Sequence, residues 1–150
     1  MQPEPRVLIV EDHDVLRVML FTILRHQPLS VDTATSCTDA LGKVTSCDYA
    51  LILLDTGLPG NDADTFLRAF REQRPDVPTF VIAVRDPNKD VYIDPEVVSA
   101  VLNKPLEVDM LAEVVRECAL VVPPPEDPLQ CPPAESDVRT QMERGSYYSN

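Results

Sequence analysis

The sequence predicts an α/β fold: a doubly wound, five-stranded parallel sheet with helices on both faces. Three observations carry this. Short apolar runs, Arg6–Val10, Leu51–Leu54, Thr79–Val84 and Ala100–Asn103, have the length and bounding of strands buried on both sides. Helical patterns separate them, which makes neighbouring strands parallel. Each run also ends in charge: Glu11-Asp12, Asp55, Arg85 and Lys104-Pro105. Parallel strands joined by crossovers of one hand bring all these ends to one rim, where open α/β sheets bind ligands.

Taken in order, residues 1–5 hold two prolines and read as a loose lead-in. A helix is expected over 14–26, with Leu16, Met19, Leu20, Ile23 and Leu24 on an inward stripe and Pro28 beyond its end. The second strand, over about 29–33, is weakly marked. Ser36 or Thr38 can cap a second helix that turns Ala40, Leu41 and Val44 inward, with Gly42 weakening it. Asp62 can cap a third, carrying Phe66, Leu67 and Phe70 on its inner face. Pro87 and Pro95 interrupt 86–98, so any helix there is short or broken. The last helix, over 108–120, buries Leu111, Val114, Val115 and Cys118.

At Pro123 the composition changes. Six of the fifteen prolines fall between Pro123 and Pro133, among Ser, Glu and Gln. Such a segment buries too little apolar surface to offset its ordering entropy. Residues 1–122 therefore read as one domain and 123–150 as a disordered tail of little consequence for stability.

With 150 residues, 44% of them hydrophobic, the chain suits one globular domain. A net charge of −12 without a basic stripe argues against a nucleic-acid partner. No run approaches the roughly 20 apolar residues of a membrane helix, and the first run is short and meets acids at once, unlike a signal peptide. A cytoplasmic protein is expected. Cys37, Cys47, Cys118 and Cys131 form no CxxC pair or metal spacing and read as free thiols.

The rim carries the chemistry. Glu11, Asp12 and Asp55 held close together repel, and each binds protons more tightly unless a cation lies among them. Mg²⁺ suits such a site, since it takes oxygen ligands and needs few carboxylates. Glu11-Asp12 by itself also suits a helix start, and Lys104 by itself a solvated loop. A carboxylate such as Asp55 can act as a nucleophile and form an acyl phosphate. His13 reads as a solvated first-turn residue, and His26 as a cation closing a helix.

In order and separation, Glu11-Asp12, Asp55 followed by Leu58-Pro59, and Lys104-Pro105 resemble a response-regulator receiver domain of the CheY-like family. The resemblance covers about the first four-fifths of the chain, with Lys104 lying 49 residues after Asp55, a few fewer than the family usually has. It implies strand order 2-1-3-4-5 and phosphoryl acceptance on Asp55. It also implies direct metal binding by Asp12 and Asp55, water-mediated binding by Glu11, and a ligand from the Gly57 carbonyl. Lys104, aimed by a cis Lys104-Pro105 peptide, would neutralise the transferring group.

Three positions depart from the family pattern. Arg85 stands where a serine or threonine hydroxyl follows phosphorylation, Val101 where an aromatic switch residue is usual, and Ala63 where a glycine is usual. Arg85 can pair with unphosphorylated Asp55 or swing out toward Asp86 and solvent. The resemblance implies a stand-alone receiver in a two-component phosphorelay, fed by a histidine kinase or histidine phosphotransfer protein and acting on a further output protein. It would be a phosphoacceptor rather than an enzyme, with self-catalysed phosphoryl transfer and dephosphorylation at most. The alternative is a pseudo-receiver that binds partners without phosphorylation. A nucleotide-binding flavodoxin-like domain is disfavoured, because the turn after the first strand is acidic where a phosphate loop is Gly-rich.

Overall fold

The structure is a computed structural model and describes residues 4–59 and 62–138. Five strands, β1 (Arg6–Val10), β2 (Ser30–Ala34), β3 (Leu51–Asp55), β4 (Phe80–Arg85) and β5 (Ala100–Asn103), alternate with helices α1 (Asp14–Leu24), α2 (Cys37–Ser46) and α3 (Asp62–Gln73), and α4 (Val108–Val121) closes the body. All strand pairs are parallel, in the order β2-β1-β3-β4-β5. This is the doubly wound order expected above.

Side chains of successive strand residues point to opposite faces, and each face has its own core. Val7, Ile9, Leu51, Leu53, Ile82 and Val84 pack with α1 and α4. Leu8, Val10, Ile52, Leu54 and Val81 pack with α2 and α3. All five residues of β3 are buried, as a central strand requires.

The helices follow their predicted stripes with shifts in α1 and α4. In α1, Phe21 turns inward beside Leu20 and Leu24, while Met19 is 42% exposed. The helix stops at Leu24, short of His26. His13 is its N-cap, its side chain accepting from the Leu16 N–H at 3.3 Å. Ser36 caps α2, and Ala40 and Val44 are buried beneath it. Asp62 is the first residue of α3 rather than a residue ahead of it; Phe66, Leu67 and Phe70 are buried there. In α4 the inward face is Leu111, Ala112, Val115 and Ala119, with Val114 and Cys118 at its margin. Between β4 and β5, where a short or broken helix was expected, the chain forms only turns at 87–88 and 95–97.

The tail expectation fails over 123–138. This segment forms a strap along the outer edge of β2, and two of the four cysteines expected to be free, Cys47 and Cys131, are joined in a disulfide. Cys37 and Cys118 are free thiols. β2 is the edge strand, and an edge strand exposes unpaired N–H groups. Here the Val31 N–H donates to Ser136 Oγ at 2.8 Å, and the Thr33 N–H donates to Glu135 Oε1 at 3.0 Å. Leu129 N–H donates to Asp48 Oδ2 at 2.7 Å. A helical turn at 135–138 ends the strap, and residues 139–150, the rest of the expected disordered tail, lie outside the described residues, as do residues 1–3 of the lead-in.

Beneath the strap lies a buried polar network that the sequence did not announce. Asp32, 4% exposed, accepts from Arg6 Nε at 2.8 Å and from Tyr49 Oη at 2.6 Å through one oxygen. Its other oxygen accepts from the Glu135 N–H at 2.8 Å. Arg6 also donates to the Pro132 carbonyl at 2.6 Å. Burial, then the Asp32 hydrogen bond, pushes the Tyr49 hydroxyl well above its ordinary pKa, so it stays a donor. Of the strap residues only Ala134 and Ser136 are buried, so polar bonds and the disulfide hold it. Each ordered residue costs roughly 1–2 kcal/mol of conformational entropy, and each hydrogen bond returns about 1 kcal/mol net, so the bonds alone leave little surplus.

Asp32→Ala strands Arg6 and Tyr49 and frees the Glu135 N–H. Losing one partner of a buried pair should destabilise the fold by about 3 kcal/mol, read by urea denaturation of the full chain. A change below about 1 kcal/mol, the value of a surface pair, would show that the network is not structural.

Candidate functional site

Strand register builds the site. Val10 pairs with Leu54 and Asp55 pairs with Val84, so the residue after β1, Glu11, comes beside Asp55. Arg85 pairs with Asn103, which places Lys104 at the same level on the far side. The Glu11 N–H donates to the Ala34 carbonyl at 3.0 Å, and the Lys104 N–H donates to the Arg85 carbonyl at 2.8 Å, so both are fixed by neighbouring strand ends. The Lys104-Pro105 peptide is cis, as the resemblance implied.

Lys104 Nζ stands 2.8 Å from Asp55 Oδ2. Gly57 N–H donates to the other oxygen, Oδ1, at 2.7 Å. A Cβ at position 57 would lie 3.1 Å from that oxygen, so glycine keeps the turn close to the carboxylate. Thr56, which the sequence reading passed over, bonds the Val84 carbonyl through both its N–H at 2.9 Å and its hydroxyl at 3.0 Å. It ties the turn after β3 to β4. Leu16, Leu20, Leu53, Val84 and Leu106 form the apolar floor under Glu11 and Asp55.

The two buried carboxyls divide one charge. Glu11 is 2% exposed, and burial, with a hydrogen bond to Asp55 next, pushes its pKa from 4.5 up to about 8. Burial also pushes Asp55 up, but the Glu11 hydrogen bond, the Lys104 ammonium and the Gly57 N–H outweigh it and hold Asp55 below the ordinary carboxylate range. Burial lowers Lys104, and the Asp55 carboxylate more than offsets this, so it stays an ammonium. The resting site is a protonated Glu11, an ionised Asp55 and a charged Lys104.

Four of the sequence-predicted residues, Glu11, Asp55, Gly57 and Lys104, come together. Asp12 is exposed beside them. Arg85 does not pair with Asp55: its Nε donates to Asn103 Oδ1 at 3.1 Å, because the β4–β5 register sets those two residues side by side. Val101 is 40% exposed on β5, away from Asp55.

Among the described residues no group of three or more His, Cys, Asp or Glu side chains is arranged to hold a metal ion. The donor chemistry nonetheless fits Mg²⁺. Glu11 Oε2 is buried without a hydrogen-bond partner beside a second carboxylate, an electrostatic setting that a hard cation relieves. Glu11, Asp12, Asp55 and the Gly57 carbonyl are the oxygen donors available to it.

Residues 7–116 match the response regulator receiver domain family. The chain belongs to this family. The receiver domain is a signalling domain of two-component systems rather than an enzyme in the usual sense. The chain is 32% identical over 81 residues to the transcriptional regulatory protein PmrA of Pectobacterium parmentieri, covering 54% of this chain and 36% of that protein. Over 112 residues it is 30% identical to the uncharacterized transcriptional regulatory protein YkoG of Bacillus subtilis, covering 73% of this chain and 49% of that protein. It thus spans about a third to a half of these relatives. The receiver fold is shared with the response regulator protein TrrA of Thermotoga maritima, solved in complex with Mg(2+)-BeF, at a TM-score of 0.65 and 24% identity over 76% of this chain and 98% of that one. It is shared equally with a receiver domain from Methylobacillus flagellatus, at a TM-score of 0.67 and 22% identity over 77% and 98%. Among the described residues no helix is long and apolar enough to cross a membrane.

Glu11→Gln gives a test of the charge division. A glutamate raised from 4.5 to about 8 binds its proton more tightly in the folded state, so its contribution is full below pH 4.5 and is lost as pH rises through about 8. Glutamine cannot ionise. In the presence of EDTA, the melting temperature of Glu11→Gln relative to wild type should therefore climb across that window. A flat difference would mean that Glu11 ionises normally.

Proposed function

We propose that this receiver accepts a phosphoryl group on Asp55 from a histidine kinase or histidine phosphotransfer protein in a two-component phosphorelay. The observation that carries the reading is the Lys104–Asp55 pair with Glu11 buried against it, at the rim where β1, β3 and β5 end. An ionised Asp55 oxygen attacks phosphorus, and the bond from phosphorus to the donor imidazole nitrogen breaks. Lys104 keeps its proton and faces the charge that develops on the phosphoryl oxygens. Mg²⁺, held by Glu11, Asp12, Asp55 and the Gly57 carbonyl, supplies the rest of that neutralisation when bound. The curated relatives are named transcriptional regulators, and the output partner of this chain is a separate question from the acceptor chemistry.

A second reading, a pseudo-receiver that binds partners without phosphorylation, draws support from Arg85. Its bond to Asn103 ties β4 to β5 without any phosphoryl group. The turns that replace a helix over 86–99, and exposed Val101, leave the usual reporting elements altered. A ligand shifts a two-state equilibrium only by its differential affinity for the two states. Phosphorylation should then move residues 85–101 little.

Two measurements separate these readings. Intact mass after incubation with acetyl phosphate and Mg²⁺ should show one added phosphoryl group on the wild type and none on Asp55→Asn, with the fold retained. Uptake by Asp55→Asn at the wild-type rate would overturn the acceptor assignment. Amide exchange across 84–104, with and without beryllofluoride, should change more in Arg85→Thr/Val101→Tyr than in wild type. An equally large change in wild type would show that Arg85 does not damp the response.

A further inference from the structure

We infer that the Cys47–Cys131 pair is a redox-operated latch, which locks the 129–136 strap over the β2 edge when oxidised and releases it when reduced. Three independent features of the fold meet there. The disulfide joins the end of α2 to the strap across 84 residues of chain. The strap buries almost no apolar surface of its own, so the covalent bond stands in for the hydrophobic contacts that hold the helices. What it covers is specific: the Val31 and Thr33 N–H groups of the edge strand, and the second oxygen of buried Asp32.

The chemistry at the two sulfurs is unequal. Cys47 is 3% exposed, whereas Cys131 is partly exposed on the strap. A small dithiol reductant therefore attacks Cys131 Sγ and displaces Cys47 as a thiolate. The second thiol of the reductant then resolves the mixed disulfide and leaves Cys131 as a thiol. Two electrons pass to the protein, Cys47 and Cys131 each end with one proton, and the reductant ends as a cyclic disulfide. The Asp48 N–H, 3.3 Å from Cys131 Sγ, faces the sulfur and favours its thiolate form during re-oxidation.

Once the bond is open, the strap is a Pro-rich segment with little apolar burial, held by polar bonds such as those from Val31 and Thr33, and such weakly packed segments open at low free energy. The Val31 and Thr33 N–H groups and the second Asp32 oxygen then meet solvent, and β2 regains an open edge. The body keeps both cores, because the only strap residue packed against either is Cys131, at the margin of the α2–α3 face.

The test uses the full chain, air-oxidised, with and without dithiothreitol. Alkylation under denaturing conditions should label two cysteines, Cys37 and Cys118, without reductant and all four with it. Amide exchange at Val31 and Thr33, and along 129–138, should accelerate at least about tenfold on reduction, as for a locally opened segment. Cys131→Ser should give the fast exchange without reductant while exchange in β3 stays slow. Four labelled cysteines in the oxidised protein would remove the latch. So would unchanged exchange at Val31 and Thr33 after complete reduction, since the polar bonds would then hold the strap unaided.

Discussion

The parallel register of β3 between β1 and β4 is the constraint on which the rest of this receiver depends. Val10 opposite Leu54, and Asp55 opposite Val84, leave no freedom in where Glu11 and Asp55 emerge. A slip of one residue would turn the whole apolar set of a strand to the wrong face. Both faces of this sheet are covered by helices, so such a slip would expose one core and bury charge in the other. The hydrophobic cores thus fix the position of the rim carboxylates, although neither core contains them.

That placement forces a charge problem, which the rim settles by dividing roles. Glu11, sunk behind the rim, keeps a proton; Asp55, which meets Lys104 and the Gly57 N–H, gives its proton up. Neither assignment needs a special residue type, only a difference in burial and in partners. Arg85 adds a cation one strand away without joining this arrangement, because Asn103 sits opposite it in the register. The rim therefore holds one ammonium in contact with the Asp55 carboxylate rather than two cations.

At the opposite edge of the sheet, β2 meets a different demand. An exposed strand edge invites pairing with other chains, and here the chain supplies its own cover. Arg6, Asp32 and Tyr49 form a buried polar base, and the strap completes it through the Glu135 N–H and the Pro132 carbonyl. A base of this kind is costly to leave half satisfied, which couples the strap to the body more specifically than an apolar contact would.

By itself the sequence determined the strand runs, the parallel sheet and the acidic and basic residues at its rim. Apolar runs, helical periods and charged strand ends are local patterns, and the register follows once both faces must be covered. Lys104 and the interruption at Pro87 and Pro95 were legible for the same reason, although the segment between β4 and β5 forms turns where a short or broken helix was expected, and Gly57 was reached only through the family resemblance. Only the tertiary structure decided where Arg85 points, which carboxyl holds the proton, and that residues 123–138 dock. Arg85 depends on its cross-strand neighbour, and the proton on relative burial, neither of which is a property of the local chain. The strap was misread because its composition is that of a disordered segment, and nothing local to Cys131 reveals that Cys47, far away in sequence, lies within bonding distance. Pairing across 84 residues is set by how α2 packs on the sheet, so it could be decided only when the whole chain was folded.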